Sequence, residues 1–237
     1  MHLFYTPDVN GDTCYLNEQE SKHSVRVLRL GKGSALNLVD GKGGWYEAII
    51  DDDNPKKCRL KIISHSPGYH PLSNNLHVAI SPLKSVERFE WFAEKATEIG
   101  ISQITPVICQ RTERRRVNIE RTERIIISAM KQSYKAFKPV LNEPRLFSEF
   151  INQEYPGARA IAHCSGTERL ALHQIGPSDN YTVLVGPEGD FTEAEVDLAV
   201  NRGFQQVHLG DSRLRTETAG VFICTAIQLI GHKKNRP

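Results

Sequence analysis

Sequence motifs that bind metals or crosslink a small fold are missing from this chain. Its five cysteines are odd in number and widely spaced, with no C-x-x-C pair, so neither a disulfide framework nor a thiolate metal site is indicated. The nine histidines form neither H-x-x-x-H nor H-E-x-x-H, and His163-Cys164 lies in an apolar run that is typical of a core strand. We therefore expect reduced, structural cysteines and no metal.

Long apolar runs and an imbalance of charge are also missing. No run approaches the roughly 20 apolar residues of a membrane-spanning helix, and the first residues, MHLFYTPDVNGD, lack the basic and apolar regions of a signal peptide. With 30 Lys and Arg against 28 Asp and Glu, the net charge of +2 neither favours nor excludes a polyanionic partner. We expect a cytoplasmic protein with no membrane partner, and 237 residues allow a sizeable core.

Short β-like runs dominate the first 66 residues. They are LFYTP, ALNLVDG, WYEAIID and CRLKIIS, with GKGG at 41–44 offering a hairpin turn and one helical stretch near NEQESKHSVRVLR. Closing such short strands into a barrel would remove their exposed edges. The stretch 66–75 contains two prolines and a glycine and is typical of a linker. We predict a small β domain over residues 1–70.

After the linker, apolar strand-like runs alternate with amphipathic helical patterns. The strand-like runs are LHVAISP, QITPVIC, ARAIAHC, YTVLVGPEG and VHLG, and a weaker helix is indicated near LALHQI. This alternation predicts a parallel α/β sheet that is covered on both faces, over residues 71–237.

Two strand-to-helix loops of this predicted sheet are unusual. In open parallel sheets, ligands bind beyond the carboxyl ends of the strands. The first loop, within 184–195, contains GPEG, whose glycines allow close backbone approach, and a T-x-x-E capping box at Thr192 and Glu195. The second, within 209–220, leads into a helix whose free N–H groups can bind an acceptor. If their strands are neighbours, both loops face one cleft; each alone could be a turn before a capped helix.

Familiar nucleotide-binding signatures are absent. The chain has no G-x-x-x-x-G-K-[ST], and the first strand of the α/β part, LHVAISPLKS, has no glycine-rich turn of the Rossmann kind. The same absence argues against the common methyltransferase fold, which has its glycine loop after the first strand. A cofactor site is therefore predicted late in the chain.

Four separate segments together resemble one protein family. GPEG (186–189), LGDSRLRTETA (209–219), KSVERFEWFAEKATEIGISQITPV (84–107) and AMKQS (129–133) are similar to the ribosomal RNA small-subunit methyltransferase E family, which comprises uracil-N3 methyltransferases of the SPOUT superfamily. HSVRVLRLGKGSALNLVDGKGGWYEAII (23–50) is similar to the PUA-like RNA-binding barrel of that family. The resemblance covers nearly the whole chain.

This resemblance implies a fold, a cofactor and partners. The expected fold is α/β, with an N-terminal PUA-like β-barrel over residues 1–70 and a SPOUT α/β domain with a C-terminal trefoil knot over residues 71–237. The expected activity is S-adenosylmethionine-dependent methylation of N3 of a uridine in small-subunit (16S) ribosomal RNA, within a partly or fully assembled subunit. A homodimer with the site near the subunit interface is also implied.

Motif matching assigns two walls of the S-adenosylmethionine site. The first wall is formed by Leu184, Gly186, Pro187, Glu188 and Gly189. The second is formed by Leu209, Gly210, Leu214, Arg215, Thr216, Thr218 and Ala219. The family usually has a second glycine where this chain has Asp190.

The chemistry of the substrate indicates what the site must do. Uracil N3 carries an imide proton and is a poor nucleophile until that proton leaves, so the site must favour the imidate anion while the methyl group is held in line. Arg215 is the expected catalytic residue that stabilises charge on the uracil oxygens. Glu217 is expected to act as a base or to orient Arg215; the alternative is a surface charge pair near a helix start.

RNA contacts are predicted on basic residues in both parts of the chain. They are His23, Arg26, Arg29, Arg111, Arg114, Arg115, Arg116, Lys131 and Lys135. Lys131 and Lys135 flank Tyr134, a mixture suited to phosphate contact and base stacking. The family tends to carry an arginine shortly after the Gln-Ser of AMKQS, where this chain has lysines, which lack the bidentate geometry of arginine. The alternative is that these charges are only solvated surface.

Two other functions are also compatible with this sequence. The first is a non-catalytic RNA-binding ribosome-assembly factor of the same fold. The second is an α/β enzyme that binds another adenosine-containing ligand; competition by S-adenosylhomocysteine but not by nucleotides would separate it from a methyltransferase.

Overall fold

The computed structural model describes residues 2–9, 11–166 and 169–234, with side chains described as far as residue 231. The chain divides into two compact units. Unit 1 comprises Met1–Pro71 and Ile127–Lys138, and unit 2 comprises Leu72–Ile126 and Pro139–Pro237.

Unit 1 is built on a mixed five-stranded sheet. The strands are β1 (Leu3–Tyr5), β2 (Thr13–Tyr15), β3 (Ala35–Val39), β4 (Trp45–Asp52) and β5 (Arg59–Ser66). They lie in the order β1-β3-β4-β5-β2, and β1 is parallel to β3 whereas the other neighbours are antiparallel. Helix α1 (Glu18–Lys22) continues into a π-helical turn at His23–Val27.

The sequence pattern explains how unit 1 folds. Leu36 and Leu38, two residues apart on β3, pack with Phe4 and Leu60 in one core, whereas Val39 packs in a second cluster, as the two-residue period of a strand requires. The hairpin predicted at GKGG is confirmed, because β3 pairs antiparallel with β4 across these residues. Gly41 and Gly43 there adopt positive φ angles of 77° and 101°, which glycine adopts without strain.

Unit 2 contains a parallel sheet. Its strands are β6 (Asn75–Ile80), β7 (Gln103–Ile108), β8 (Val140–Leu141), β9 (Arg145–Leu146), β10 (Ala158–Ala162), β11 (Leu170–Ala171), β12 (Asn180–Val185) and β13 (Gln205–His208). Their order is β11-β13-β10-β12-β6-β7-β8, with β9 beside β7, and every pairing between them is parallel. The predicted parallel α/β sheet is confirmed, whereas the helix expected near LALHQI is the short strand β11 followed by a 3₁₀ turn.

Helices pack on both faces of this sheet, as predicted. The α-helices described after α1 are α2 (Val86–Ile99), α3 (Ile119–Gln132), α4 (Phe147–Ile151), α5 (Glu193–Asn201) and α6 (Thr216–Lys234). On β6, Val78 packs in a core with Phe92 of α2 and Ile223 of α6. Its neighbour Ala79 packs on the opposite face with Phe150 of α4.

The C-terminal helix α6 is bound tightly within unit 2. The side-chain amide of Asn74 donates to the Ile227 carbonyl at 3.0 Å, and Gln228 donates to the Gly100 carbonyl at 2.9 Å. Gly220 lies so close to α2 that a Cβ atom there would be 2.5 Å from the Phe92 ring. In the described part of the chain, no helix combines the length and the apolar character needed to cross a membrane.

Candidate functional site

The two unusual loops meet at one edge of the parallel sheet. They follow β12 and β13, which are not direct neighbours because β10 lies between them. The loops nevertheless face a single cavity of about 460 Å³, which opens beyond the carboxyl ends of β10, β12 and β13. Strand order therefore adds the end of β10 to the site that the sequence predicted.

The cavity is lined by most of the predicted cofactor-binding residues. They are Gly186, Pro187, Glu188, Leu209, Gly210, Leu214, Thr216 and Ala219, and the predicted catalytic residue Arg215 lies among them. Leu184 is fully buried and packs in the core with Phe191 instead. Gly189 and Thr218 are exposed and do not line the cavity.

A buried hydrogen bond joins the two loops. The hydroxyl of Thr216, at the start of α6, donates to the Gly186 carbonyl at 3.1 Å. Gly186 also lies close to Phe191, since a Cβ atom at this position would be 3.0 Å from that ring. These contacts fix the spacing between the two walls of the cavity.

Asp190 connects the GPEG loop to the end of β10. Its backbone is left-handed, with a φ of 64°, a conformation in which Asp is one of the few tolerated side chains other than Gly. Its carboxylate accepts hydrogen bonds from the Cys164 and Phe191 amides, each at 2.8 Å. Asp190 can thus take the backbone shape of the glycine that the family usually has, and it adds a link to a third loop.

Other polar contacts hold the outer side of the GPEG loop. The Glu188 carboxylate accepts from the Lys84 amide at 3.0 Å, and Arg111 donates to the Gly189 carbonyl at 2.8 Å. The predicted capping box is confirmed, because Thr192 and Glu195 exchange side-chain and backbone hydrogen bonds at the start of α5.

The end of β10 contributes polar residues that were interpreted from the sequence as core. His163 is buried, contacts Gln206 at 3.1 Å and lines the cavity, as does the exposed Cys164. Burial lowers the pKa of His163, so the imidazole is neutral at pH 7. Arg169 also lines the cavity and donates to the His163 carbonyl at 2.5 Å. For His163 and Cys164, the sequence feature that could have indicated a place in the site was their position directly after a predicted strand.

Glu217 and Arg215 have different surroundings. Arg215 is exposed and lines the cavity, whereas Glu217 is 8% exposed and does not. The Glu217 carboxylate lies 3.7 Å from Nε of Arg88, in the first turn of α2. Arg88 itself lines the cavity. It lies within the segment that carries the family resemblance, but no role was predicted for it.

Comparison with known proteins identifies the family to which this chain belongs. A model of an RNA methyltransferase domain matches residues 70–228, and a model of an RNA methyltransferase PUA domain matches residues 16–63. The ribosomal RNA small subunit methyltransferase E of Aquifex aeolicus is 26% identical over 96% of this chain and 99% of its own length. The chain belongs to the ribosomal RNA small subunit methyltransferase E family.

Two solved structures are similar to this family member over nearly its whole length. A probable rRNA-methyltransferase from Porphyromonas gingivalis has a TM-score of 0.92 at 36% identity, over 99% of this chain and 100% of that one. The ribosomal RNA small subunit methyltransferase E of Neisseria gonorrhoeae, bound to S-adenosyl methionine, has a TM-score of 0.88 at 28% identity over 97% of each chain. The family predicted from the four sequence segments is therefore confirmed.

Within unit 1 of this methyltransferase E family member, the residues predicted to contact RNA differ in exposure and in ion pairing. His23, Arg26 and Arg29 are exposed on the π-helical turn and just after it. Lys131 is largely buried and forms an ion pair with Glu20 at 2.5 Å. Lys135 is half-buried, and burial lowers the pKa of its ammonium.

Within unit 2, the predicted RNA contacts are the arginines that follow β7. Arg111, Arg114, Arg115 and Arg116 are all exposed. Arg111 braces the GPEG loop, as described above, and Arg114 donates to the Arg116 carbonyl at 3.2 Å. Arg115 lies beside a separate shallow groove that Leu198 of α5 also lines.

Proposed function

We propose that this protein is an S-adenosylmethionine-dependent methyltransferase that methylates N3 of a uridine in small-subunit (16S) ribosomal RNA. The observation that carries the proposal is the cavity between the GPEG and RLRTETAG loops in a chain of the methyltransferase E family. Partly or fully assembled small subunits are the proposed form of the substrate.

The residues around the cavity fit this cofactor in size and chemistry. A volume of about 460 Å³ is within the range of roughly 300 to 1,000 Å³ that is usual for ligand sites. Val185, Leu209 and Leu214 supply apolar surface suited to an adenine ring, and charged side chains at the other parts of the lining suit the amino-acid end. When bound, S-adenosylmethionine supplies a methyl group on a positively charged sulfur.

We assign the two loops the task of holding this cofactor. The lining residues Gly186, Pro187, Glu188, Leu209, Gly210, Leu214, Thr216 and Ala219 contact it. Leu184, Gly189 and Thr218 do not line the cavity and support these residues from the same segments of the chain. Arg215 places a guanidinium where negative charge develops on the uracil oxygens as the N3 proton leaves. A fixed cation in a site that excludes water stabilises such charge strongly.

The finer architecture is also part of the proposal. The mixed sheet of residues 1–70 is a PUA-like barrel that binds RNA, and residues 71–237 form a SPOUT domain whose C-terminal segment threads a trefoil knot. The active form is a homodimer in the cytoplasm, where ribosomal subunits are assembled. Asp190 gives the non-catalytic alternative no support, because it adopts the left-handed backbone that a glycine would adopt there.

Methyl transfer to ribosomal subunits tests the proposal directly. Purified protein is incubated with small subunits that lack the modification and with S-adenosylmethionine carrying a labelled methyl group, and the digested RNA is analysed by mass spectrometry. We expect one 3-methyluridine per subunit. Arg215→Ala should lower the rate by about 100-fold or more while calorimetric binding of S-adenosylhomocysteine persists, and Gly186→Val should abolish that binding. Cofactor binding without transfer to subunits or naked RNA would contradict the proposal.

A further inference from the structure

Arg88 is held at the edge of the cavity by the helix on which it lies. It occupies the first turn of α2, which begins directly after the loop from β6, and its amide donates to the Ser85 side chain that caps the helix, at 3.4 Å. The Arg88 side chain is 44% exposed and lines the same cavity as Arg215. The guanidinium groups of Arg88, from α2, and Arg215, from the loop just before α6, therefore border one cavity, which Arg169 and Arg213 also line.

Glu217 provides a carboxylate partner for the Arg88 side chain. The Glu217 side chain is 8% exposed, one oxygen lies 3.7 Å from Nε of Arg88, and the other is buried without a hydrogen-bond donor among the described residues. A buried carboxylate is strongly destabilising unless a cation lies nearby. The pair holds Arg88 toward the cavity, and the carboxylate itself stays outside the lining.

The reaction offers a use for a second guanidinium. Methylation forms an N3–C bond and breaks the S–C bond of the cofactor, which leaves as a neutral thioether, while the N3 proton passes to solvent. Before the methyl group moves, negative charge spreads from N3 onto both carbonyl oxygens of the uracil ring. One arginine reaches one side of the ring, so two arginines can neutralise the two oxygens.

We infer that Arg88 is a second catalytic arginine, which stabilises the uracil imidate together with Arg215, and that Glu217 is its positioning residue. This inference rests on the proposed function. In this inference Glu217 positions Arg88; it neither orients Arg215 nor accepts the N3 proton.

The pH dependence of methyl transfer distinguishes this role from a structural one. We expect Arg88→Met to lower kcat by about 100-fold at pH 7, with calorimetric binding of S-adenosylhomocysteine unchanged. The deficit should shrink as the pH rises, because hydroxide then forms the imidate that the enzyme no longer stabilises. Arg88→Lys should recover part of the rate. The matched control is Arg202→Met, an exposed arginine at the end of α5, which should retain the wild-type profile.

Other ionisable side chains of the lining are common to all these variants. They are His163, Cys164, Arg169, Glu188, Asp190, His208, Arg213 and Arg215. Their titration affects wild type and variant alike, so the ratio of the two rates at each pH isolates the contribution of Arg88.

Glu217→Gln tests the positioning role. We expect a smaller loss of kcat than in Arg88→Met, and no additional loss when Glu217→Gln is added to Arg88→Met, because a residue that acts through Arg88 has nothing left to position. An Arg88→Met deficit that is the same at every pH would overturn the catalytic role. Equal losses from Glu217→Gln with and without Arg88 would overturn the pairing. A wild-type protein that transfers no methyl group would refute the proposed function as well.

Discussion

Asp190 is a residue at which strain and bonding oppose each other. Its left-handed backbone costs about 1 kcal/mol for a residue with a side chain, whereas its carboxylate accepts two backbone hydrogen bonds. We expect Asp190→Ala to be less stable than wild type by about 2 kcal/mol, because it retains the strain and loses both bonds. Asp190→Gly should lose only about 1 kcal/mol, since glycine relieves the strain. Urea unfolding of the three proteins measures the difference; a glycine variant about 1 kcal/mol more stable than wild type would mean that the carboxylate contributes nothing.

His77 is a second residue with a predictable effect on stability. It is buried on β6, and its Nε2 lies 2.7 Å from the Thr105 hydroxyl. Burial, with a smaller contribution from nearby Arg145, lowers its pKa to about 4 from 6.5. Between these two pH values the unfolded chain binds more protons than the folded one, so stability is lost as the pH falls. We expect His77 to account for about 3 kcal/mol of this loss.

Urea unfolding at several pH values between 4 and 7 would measure this contribution of His77. The matched variant His77→Gln keeps a polar side chain that does not titrate, so its stability should fall less steeply over the same range. Parallel curves for the two proteins would show that another group is responsible.

Local signals made some site residues predictable and others not. The T-x-x-E pattern predicted the contacts of Thr192 and Glu195, because a capping box involves residues three apart in sequence. The contact between Arg88 and Glu217 joins helices that are far apart in the chain, and no local pattern encodes it. His163 was interpreted as a core residue because the surrounding apolar run indicates burial. Its position beside the cavity depends on the order of the strands, which no local pattern encodes.

At the scale of elements, periodicity identified the long strands and helices and missed the shortest ones. The strands β8, β9 and β11 have two residues each, too few for any alternation to register. The order of strands was also beyond local reasoning, since the insertion of β10 between β12 and β13 is set by packing across the whole sheet. The parallel direction was predictable, because continuous apolar strands alternating with helices have few other solutions.

The contact between α2 and α6 gives a prediction for an element pair. Alanine normally stabilises a helix by about 1 kcal/mol relative to glycine, but at Gly220 its Cβ atom would be 2.5 Å from the buried Phe92 ring. We expect Gly220→Ala to destabilise the protein by about 2 kcal/mol through overpacking. In a protein that already carries Phe92→Leu, Gly220→Ala should cost less stability than it does in wild type, because the smaller side chain leaves room for the Cβ atom. A double-mutant cycle measured by urea unfolding would test this. Additive losses would show that the two helices do not clash here.

At the scale of the whole molecule, the boundary between the two compact units within α3 could not be predicted from the sequence. The pattern assigned all of α3 to the second part of the chain, whereas residues 127–138 belong to unit 1. The reason is packing: Met130 and Ala136 are buried in a cluster with Val39 and Trp45. An apolar helix face indicates that a helix is buried but not which core buries it.

The exposure and ion pairing of each basic residue predict how strongly it contributes to RNA binding. Each phosphate contact that is removed should flatten the dependence of log K on log salt by about one unit. We expect Arg26→Ala, which removes an exposed cation, to have this effect. Lys131→Ala should leave the salt slope unchanged and lower stability instead, because its ammonium is paired with the largely buried Glu20. Binding titrations over a range of salt concentrations would measure both; a flattened slope in Lys131→Ala would contradict the structure.

The hydrogen bonds at the end of α6 have a consequence for synthesis. Asn74 and Gly100, near the start of unit 2, are bonded to Ile227 and Gln228, which lie 153 and 128 residues later in the chain. The cavity wall at Thr216 begins the same helix. Since a chain emerges from its N-terminus, the sheet of unit 2 must wait with part of its apolar surface uncovered until α6 has been synthesised. The cavity of this protein therefore forms only after all the strands of its sheet have been made.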